Sequence, residues 1–185
     1  MRATEAKESK GEISTVGDIA ATRKCLHFYP DEFIKIILTT MQHARTGCAG
    51  IIDDQGNLVG MLTEREILRS IFEMVADPTI NRRNIGKHVD DMTVQDVMIT
   101  NPKILEDDTD IEKALEIMTN WGFRFMPVVS CRDNRKLIGL VDEREVAIHV
   151  KNRLDRIKRE AAEKEAIFNS LFREPYGTSL DPQTK

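Results

Sequence analysis

NLVGMLTEREI (57–67) and KLIGLVDEREV (136–146) are nearly one line written twice, 79 residues apart. Working outward, the duplication extends in order. TVGDI (15–19) is echoed by TVQDV (93–97), DEFIKIILTTM (31–41) by DTDIEKALEIM (108–118), and GIID (50–53) by PVVS (127–130). The offset drifts only from 78 to 77 to 79, so two copies of a unit of roughly 55 residues make up the middle of the chain.

Each copy spells its own elements. In the second, Ile111, Ala114, Leu115 and Met118 recur at helical spacing behind DDTD, whose carboxylates suit a helix N-terminus. Phe125, Met126, Val128 and Val129 form a short apolar run; a polar turn, SCRDNRK, leads into LIGLV, and the pair reads as a hairpin. A further helix starts at Asp142, and KIL (103–105) supplies a short extended stretch in front. The expected order per unit is strand, helix, strand, strand, helix. A unit this small buries too little alone, so the copies are expected to share a core.

Order, repeat and the lines TVQDVMITNP, FRFMPVVS and GLVDEREV resemble the CBS domain, and two copies in series resemble a tandem CBS pair, or Bateman module. The likeness covers residues 13–150. It implies an α+β fold in which two CBS repeats pack as a pseudo-twofold pair, with a long C-terminal helix added. The expected division is a disordered tail over 1–12, repeat 1 over about 15–72, a linker over 73–92, repeat 2 over about 93–150, a helical extension over 151–172 and a disordered tail over 173–185. The chain is also similar to stand-alone bacterial CBS-pair proteins. Such modules sense adenosine-containing ligands in the clefts between repeats and commonly pair as flat dimers.

The quoted lines carry the chemistry. Thr63-Glu64-Arg65-Glu66 fits a capping box, and Asp142-Glu143-Arg144-Glu145 nearly repeats it with an aspartate cap. The same strand-to-helix corner offers free amides to an anion. A carboxylate one turn on can accept both hydroxyls of a ribose, because it is an acceptor only and a vicinal diol has two donors. In the family a hydroxyl residue and an aspartate three positions later hold the ribose. Carried over, these are Thr63 and Glu66 in the first copy, Asp142 and Glu145 in the second. Glutamate adds a methylene, and Asp142 puts a negative charge where a phosphate would approach. The first copy is therefore expected to be the better ribose site, the second weak or vestigial.

The resemblance places phosphate contacts on Arg124, with Arg65 and Arg144 as further candidates within the two lines; a guanidinium donates two parallel bonds to a phosphate. Arg65 and Arg144 have an alternative as partners of neighbouring glutamates. Pro102, Ile104, Met126 and Pro127 stand where the family lines the base pocket, and each would also serve as a core residue.

Composition excludes other classes. With 41% hydrophobic residues there is material for a core; 27 basic against 31 acidic residues give a net charge of −4, without the broad positive surface of a nucleic-acid binder. No apolar run approaches membrane length, and no signal peptide opens the chain, which points to a cytoplasmic protein. Cys25, Cys48 and Cys131 are too few and too irregular for a disulfide framework and read as reduced and mostly buried. No metal cluster, phosphate loop or catalytic set is spelled.

From Asp142 to about Phe172 there is no glycine or proline, and Ala147, Val150, Leu154, Ile157, Ala161, Phe168 and Leu171 follow a 3-4 spacing. The helix would run roughly 45 Å and would either contact a second copy or fold back on its own module; Pro175, Gly177 and Pro182 end it.

The expected function is a non-enzymatic, homodimeric regulatory module. It senses AMP, ADP, ATP, NAD(H) or S-adenosylmethionine, needs no cofactor, and reports to an unidentified regulated protein without nucleic-acid or membrane partners. The rival is a CBS-pair scaffold that has lost ligand binding.

Overall fold

The computed structural model describes residues 13–22, 25–76, 88–133 and 135–172. The expectations for 1–12, for 173–185 and for part of the linker lie outside these residues. The chain divides into residues 1–149 and residues 150–185.

In the first unit, α1 (Val16–Ala21), β1 (His27–Phe28), α2 (Ile34–Ala44), β2 (Cys48–Ile52), β3 (Leu58–Thr63) and α3 (Glu64–Ala76) form one series. A 3-10 turn (Val89–Asp91), α4 (Val94–Val97), β4 (Ile99–Thr100), β5 (Leu105–Glu106), α5 (Ile111–Trp121), β6 (Phe125–Val129), β7 (Leu137–Asp142) and α6 (Glu143–Phe172) form the other. The repeated TVGDI and TVQDV are capping boxes. Thr15 N–H donates to Asp18 Oδ2 at 2.9 Å while Asp18 N–H donates to Thr15 Oγ1 at 3.2 Å, and Thr93 with Asp96 does the same for α4. Two such short helices, absent from the expected strand-helix-strand-strand-helix order, begin the two copies.

The sheets are built alike. One has the order β1-β2-β3-β4 and the other β5-β6-β7; β1 on β2 and β5 on β6 are parallel, and both hairpins are antiparallel. The register breaks at Ile51/Ile52 in one hairpin and at Val128/Val129 in the other, the same place in both copies. A bridge between Asn57 and Lys136 joins the sheets at the starts of β3 and β7.

The copies exchange their leading segments. Val16 N–H donates to Thr109 O at 2.9 Å and Gly17 N–H to Asp107 O at 3.0 Å, seating α1 on the second sheet. In return Val94 N–H donates to Glu32 O and Gln95 N–H to Pro30 O, both at 2.9 Å, and β4 extends the first sheet. One core therefore mixes Ile37, Met41, Leu62 and Ile67 of the first copy with Met92 and Val94 of the second. Leu62, fully buried, contributes about 1.5–3 kcal/mol by leaving water. Two glycines make the exchange possible. A Cβ on Gly60 would lie 2.7 Å from Met98 Sδ, and one on Gly139 would lie 2.9 Å from Ala20 Cβ.

Residues 150–172 continue α6 as helix. Leu154, Ile157, Phe168 and Leu171 are exposed along it, and Phe168 and Phe172 rings lie 4.8 Å apart. Among the described residues no helix is long and apolar enough to cross a membrane.

Candidate functional site

The exchange sets which residues can meet. Because α1 crosses to the second sheet, the segment that follows it comes to the corner where β7 turns into α6. A cleft of about 530 Å³ opens there. Ala20, Cys25 and Leu26 come from the crossing segment, Leu140, Val141, Asp142 and Glu145 from the corner, Arg124 and Phe125 from the start of β6, and Arg45 to Cys48 from the end of α2 and the start of β2. The lining includes apolar residues together with two acidic residues and two arginines.

The corner is tied down by its own cap. Asp142 Oδ1 accepts from Arg144 N–H at 2.8 Å, and Glu143 N–H donates to Arg124 O at 2.8 Å. Arg124 Nε stands 3.6 Å from Asp142 Oδ2, and its guanidinium lies 4.7 Å from the Phe125 ring centre. With the arginine side chain 63% exposed, that ion pair contributes no more than about 1 kcal/mol and can be exchanged for a ligand anion.

Arg45 caps the C-terminus of α2 in the left-handed conformation, φ 51°. Its counterpart at the end of α5 is Gly122, φ 67°. An L-residue held there costs about 1–2 kcal/mol relative to the right-handed region, so the arginine occupies a glycine position with its side chain at the cleft. Nothing in the spacing of the sequence marks Arg45; the signal is only that one copy has arginine where the other has glycine.

A smaller cleft, about 340 Å³, lies at the related corner of the first copy, lined by Glu66, Arg69, Ser70 and Glu73 of α3 and by the exchanged stretch from Asp96 to Thr100. Thr63 Oγ1 accepts from Glu66 N–H at 3.3 Å, the first half of the expected capping box. The Glu66 carboxylate pairs with Arg69, which also reaches Glu73 at 3.8 Å. Ile148 stands at the matching position of α6.

Arg124, Asp142 and Glu145 are thus brought together in the larger cleft, and Glu66 reaches the smaller one. Thr63, Arg65, Arg144, Pro102, Ile104, Met126 and Pro127 line neither. Arg65 and Arg144 are exposed, Met126 is 2% exposed, and Pro102 and Pro127 are buried. Leu26, the counterpart of Ile104, lines the larger cleft. In the first copy, expected to be the better ribose site, the Glu66 carboxylate is paired with Arg69, and the roomier cleft lies at Asp142.

The cysteines are free; Cys48 is buried, Cys25 half-buried, and Cys131, against the expectation, exposed. Burial raises both Cys25 and Cys48 to about 11, for Cys48 with help from the neighbouring Cys25 and Asp142 and against the Thr46 hydroxyl. Asp107, Asp108 and Cys131 place ligand-type atoms within 4.8 Å of one another, but Asp107 already accepts from Cys131 N–H at 3.0 Å and all three lie towards solvent.

Compared with known proteins, residues 16–73 and 94–152 match the family model for the CBS domain. The chain belongs to the CBS domain family. It is a tandem CBS pair. An uncharacterized 17.7 kDa protein from the bps2 3' region of Acidianus ambivalens is 32% identical over 127 residues, 69% of this chain and 68% of that protein. An uncharacterized Methanopyrus kandleri protein is 26% identical over 132 residues, 71% of this chain and 60% of its own length. Among solved structures, CBSX2 in complex with AMP superposes with TM-score 0.58 at 22% identity, covering 77% of this chain and 98% of that one. The CBS pair of protein MJ0100, in complex with 5'-methylthioadenosine and S-adenosyl-L-methionine, superposes with TM-score 0.58 at 18% identity, covering 76% and 98%.

Proposed function

We propose that this CBS pair is a regulatory sensor that binds an adenosine-containing ligand in the larger cleft. Glu145 and Asp142 take the ribose hydroxyls as acceptors, Leu26 and Leu140 cover the base, and Arg45 with Arg124 meets an anionic group. The observation that carries this reading is one corner where two acidic residues, two arginines and apolar residues line the same cleft. The AMP, methylthioadenosine and S-adenosylmethionine complexes of the fold neighbours support the ligand class.

Charge narrows the class. Two guanidiniums against two carboxylates leave no positive excess, and Arg124 is already beside Asp142. A triphosphate would meet Asp142 with like charge. A monophosphate or an uncharged or sulfonium-bearing adenosine suits the cleft better.

The cleft joins segments of both copies, so a ligand that prefers one setting of those segments shifts the population towards it. Two chains associate through the exposed apolar positions of α6, and the altered setting reaches a regulated partner from there; nothing in this scheme requires catalysis. A second reading, a scaffold without ligand, has one observation in its favour: the Glu66 carboxylate is engaged by Arg69.

Thermal shift with AMP, ATP, NAD(H), S-adenosylmethionine and 5'-methylthioadenosine tests the proposal. A ligand at a hundred times its dissociation constant adds about 2.7 kcal/mol. The expected result is a shift with at least one compound, smaller for ATP than for AMP, and its loss in Glu145→Ala. No shift with any of them refutes the sensor and leaves the scaffold.

A further inference from the structure

We infer that Cys25 and Cys48 form a dithiol site in the wall of the larger cleft that takes a thiophilic centre binding two sulfurs, such as trivalent arsenic or a soft two-coordinate cation.

The register carries the argument. β1 runs parallel to β2 with His27 opposite Gly50 and Phe28 opposite Ile51. Gly50 N–H donates to Leu26 O at 3.0 Å, the bond that closes the His27–Gly50 pair. Two residues before His27 is Cys25, just ahead of β1, and two before Gly50 is Cys48, the first residue of β2; the same register carried back brings the cysteines together, and Cys25 is near enough to act on the Cys48 thiol. Both line the cleft. The thiols make weak contacts, Cys25 Sγ to Leu26 O at 3.5 Å and with the Gly50 amide, and Cys48 Sγ with Thr46 Oγ1 at 3.9 Å. None of these competes with a metal–sulfur bond.

Strand spacing favours a bridging atom over a disulfide. Neighbouring strands lie about 4.7–4.9 Å apart, and facing Cβ atoms at that separation exceed the roughly 3.5–4.5 Å a relaxed disulfide requires. An atom inserted between the sulfurs removes the mismatch. Both thiols stay protonated in the unloaded cleft, so it gains no charge from them, and loading releases two protons. Cys131 is exposed on the β6–β7 turn and has no facing thiol, which makes it an internal control.

Phenylarsine oxide probes the pair without redox chemistry: the As=O bond is replaced by two As–S bonds, the two thiol protons leaving with the oxygen as water. The full-length protein is treated under native conditions, challenged with excess monothiol, and weighed by intact-mass spectrometry. One adduct per chain is expected to survive the monothiol and to come off with a 1,2-dithiol. It should remain in Cys131→Ser and be lost in Cys25→Ala and Cys48→Ala, with melting curves confirming that each variant is folded. Alkylation of the loaded wild type should label Cys131 and spare Cys25 and Cys48, a measurement that needs no variant. An adduct stripped by the monothiol, one that persists in either single variant, or equal labelling of all three cysteines overturns the site.

Discussion

Gly139→Ala is the most direct perturbation of the exchange that builds the cleft. The added Cβ would lie 2.9 Å from Ala20 Cβ, 3.0 Å from Ala20 O and 3.3 Å from Ala20 Cα. Carbon atoms settle at about 3.5–4.0 Å, so α1 must withdraw by roughly half an ångström to one. The obstacle includes backbone, and α1 is held by the bonds from Val16 and Gly17 to residues 109 and 107, so the move is resisted. Overpacking of this kind costs about 1–3 kcal/mol; at about 2–4 °C per kcal/mol for a chain of this size, the midpoint should fall by about 2–12 °C. Ligand affinity should fall with it, since Ala20 lines the larger cleft. Gly47→Ala is the control. Its Cβ would meet Glu64 Oε2 at 3.5 Å and Phe125 Cζ at 3.6 Å, ordinary contact, and loss of unfolded-state freedom should leave it neutral or stabilise it by about 0.4–1 kcal/mol. Differential scanning calorimetry decides. A Gly139→Ala midpoint equal to wild type, or equal losses in both variants, would refute the seating of α1 on the second sheet.

Arg69→Ile copies Ile148 into the first corner and releases Glu66; isothermal titration should then detect a second ligand equivalent, at a stability cost of about 1 kcal/mol for a pair between an exposed arginine and a half-buried glutamate. Arg45→Gly should raise stability by up to about 1 kcal/mol through relief of the left-handed arginine, while weakening AMP more than uncharged 5'-methylthioadenosine in the same titrations. Asp18 is held below its ordinary value by the Ser14 and Thr15 amides. Its folded pKa lies under the unfolded one, so its contribution is full above about pH 4 and is lost as pH falls through the folded value. Asp18→Asn should therefore lower the melting midpoint at pH 6 and match wild type at the acid end of a pH series.

Much of this was legible in the chain. Drifting offsets of the duplicated lines give two copies, and the apolar spacings of α5, β6 and β7 give their elements. The cap at Thr63 follows from residue types alone. The exchange of α1 and α4 does not, because a repeat specifies a segment's form but not which copy it docks against; Gly60 and Gly139 require a close neighbour without naming it. The engagement of Glu66 turned on Arg69, just beyond the quoted line. The E-x-x-R spacing predicts the pair with Glu66, whereas its effect on a cleft depends on the exchanged segment that forms the other wall. Arg45 was silent because a left-handed cap is ordinarily read from glycine, and here the glycine is only in the other copy.

The central claim is that the Asp142 corner holds an adenosine ligand. Isothermal titration of S-adenosylmethionine and AMP into wild type, Glu145→Ala and Glu66→Ala tests it most directly. One saturable equivalent per chain is expected for at least one of the two compounds, abolished in Glu145→Ala and retained in Glu66→Ala. Binding that survives Glu145→Ala and disappears in Glu66→Ala would contradict it.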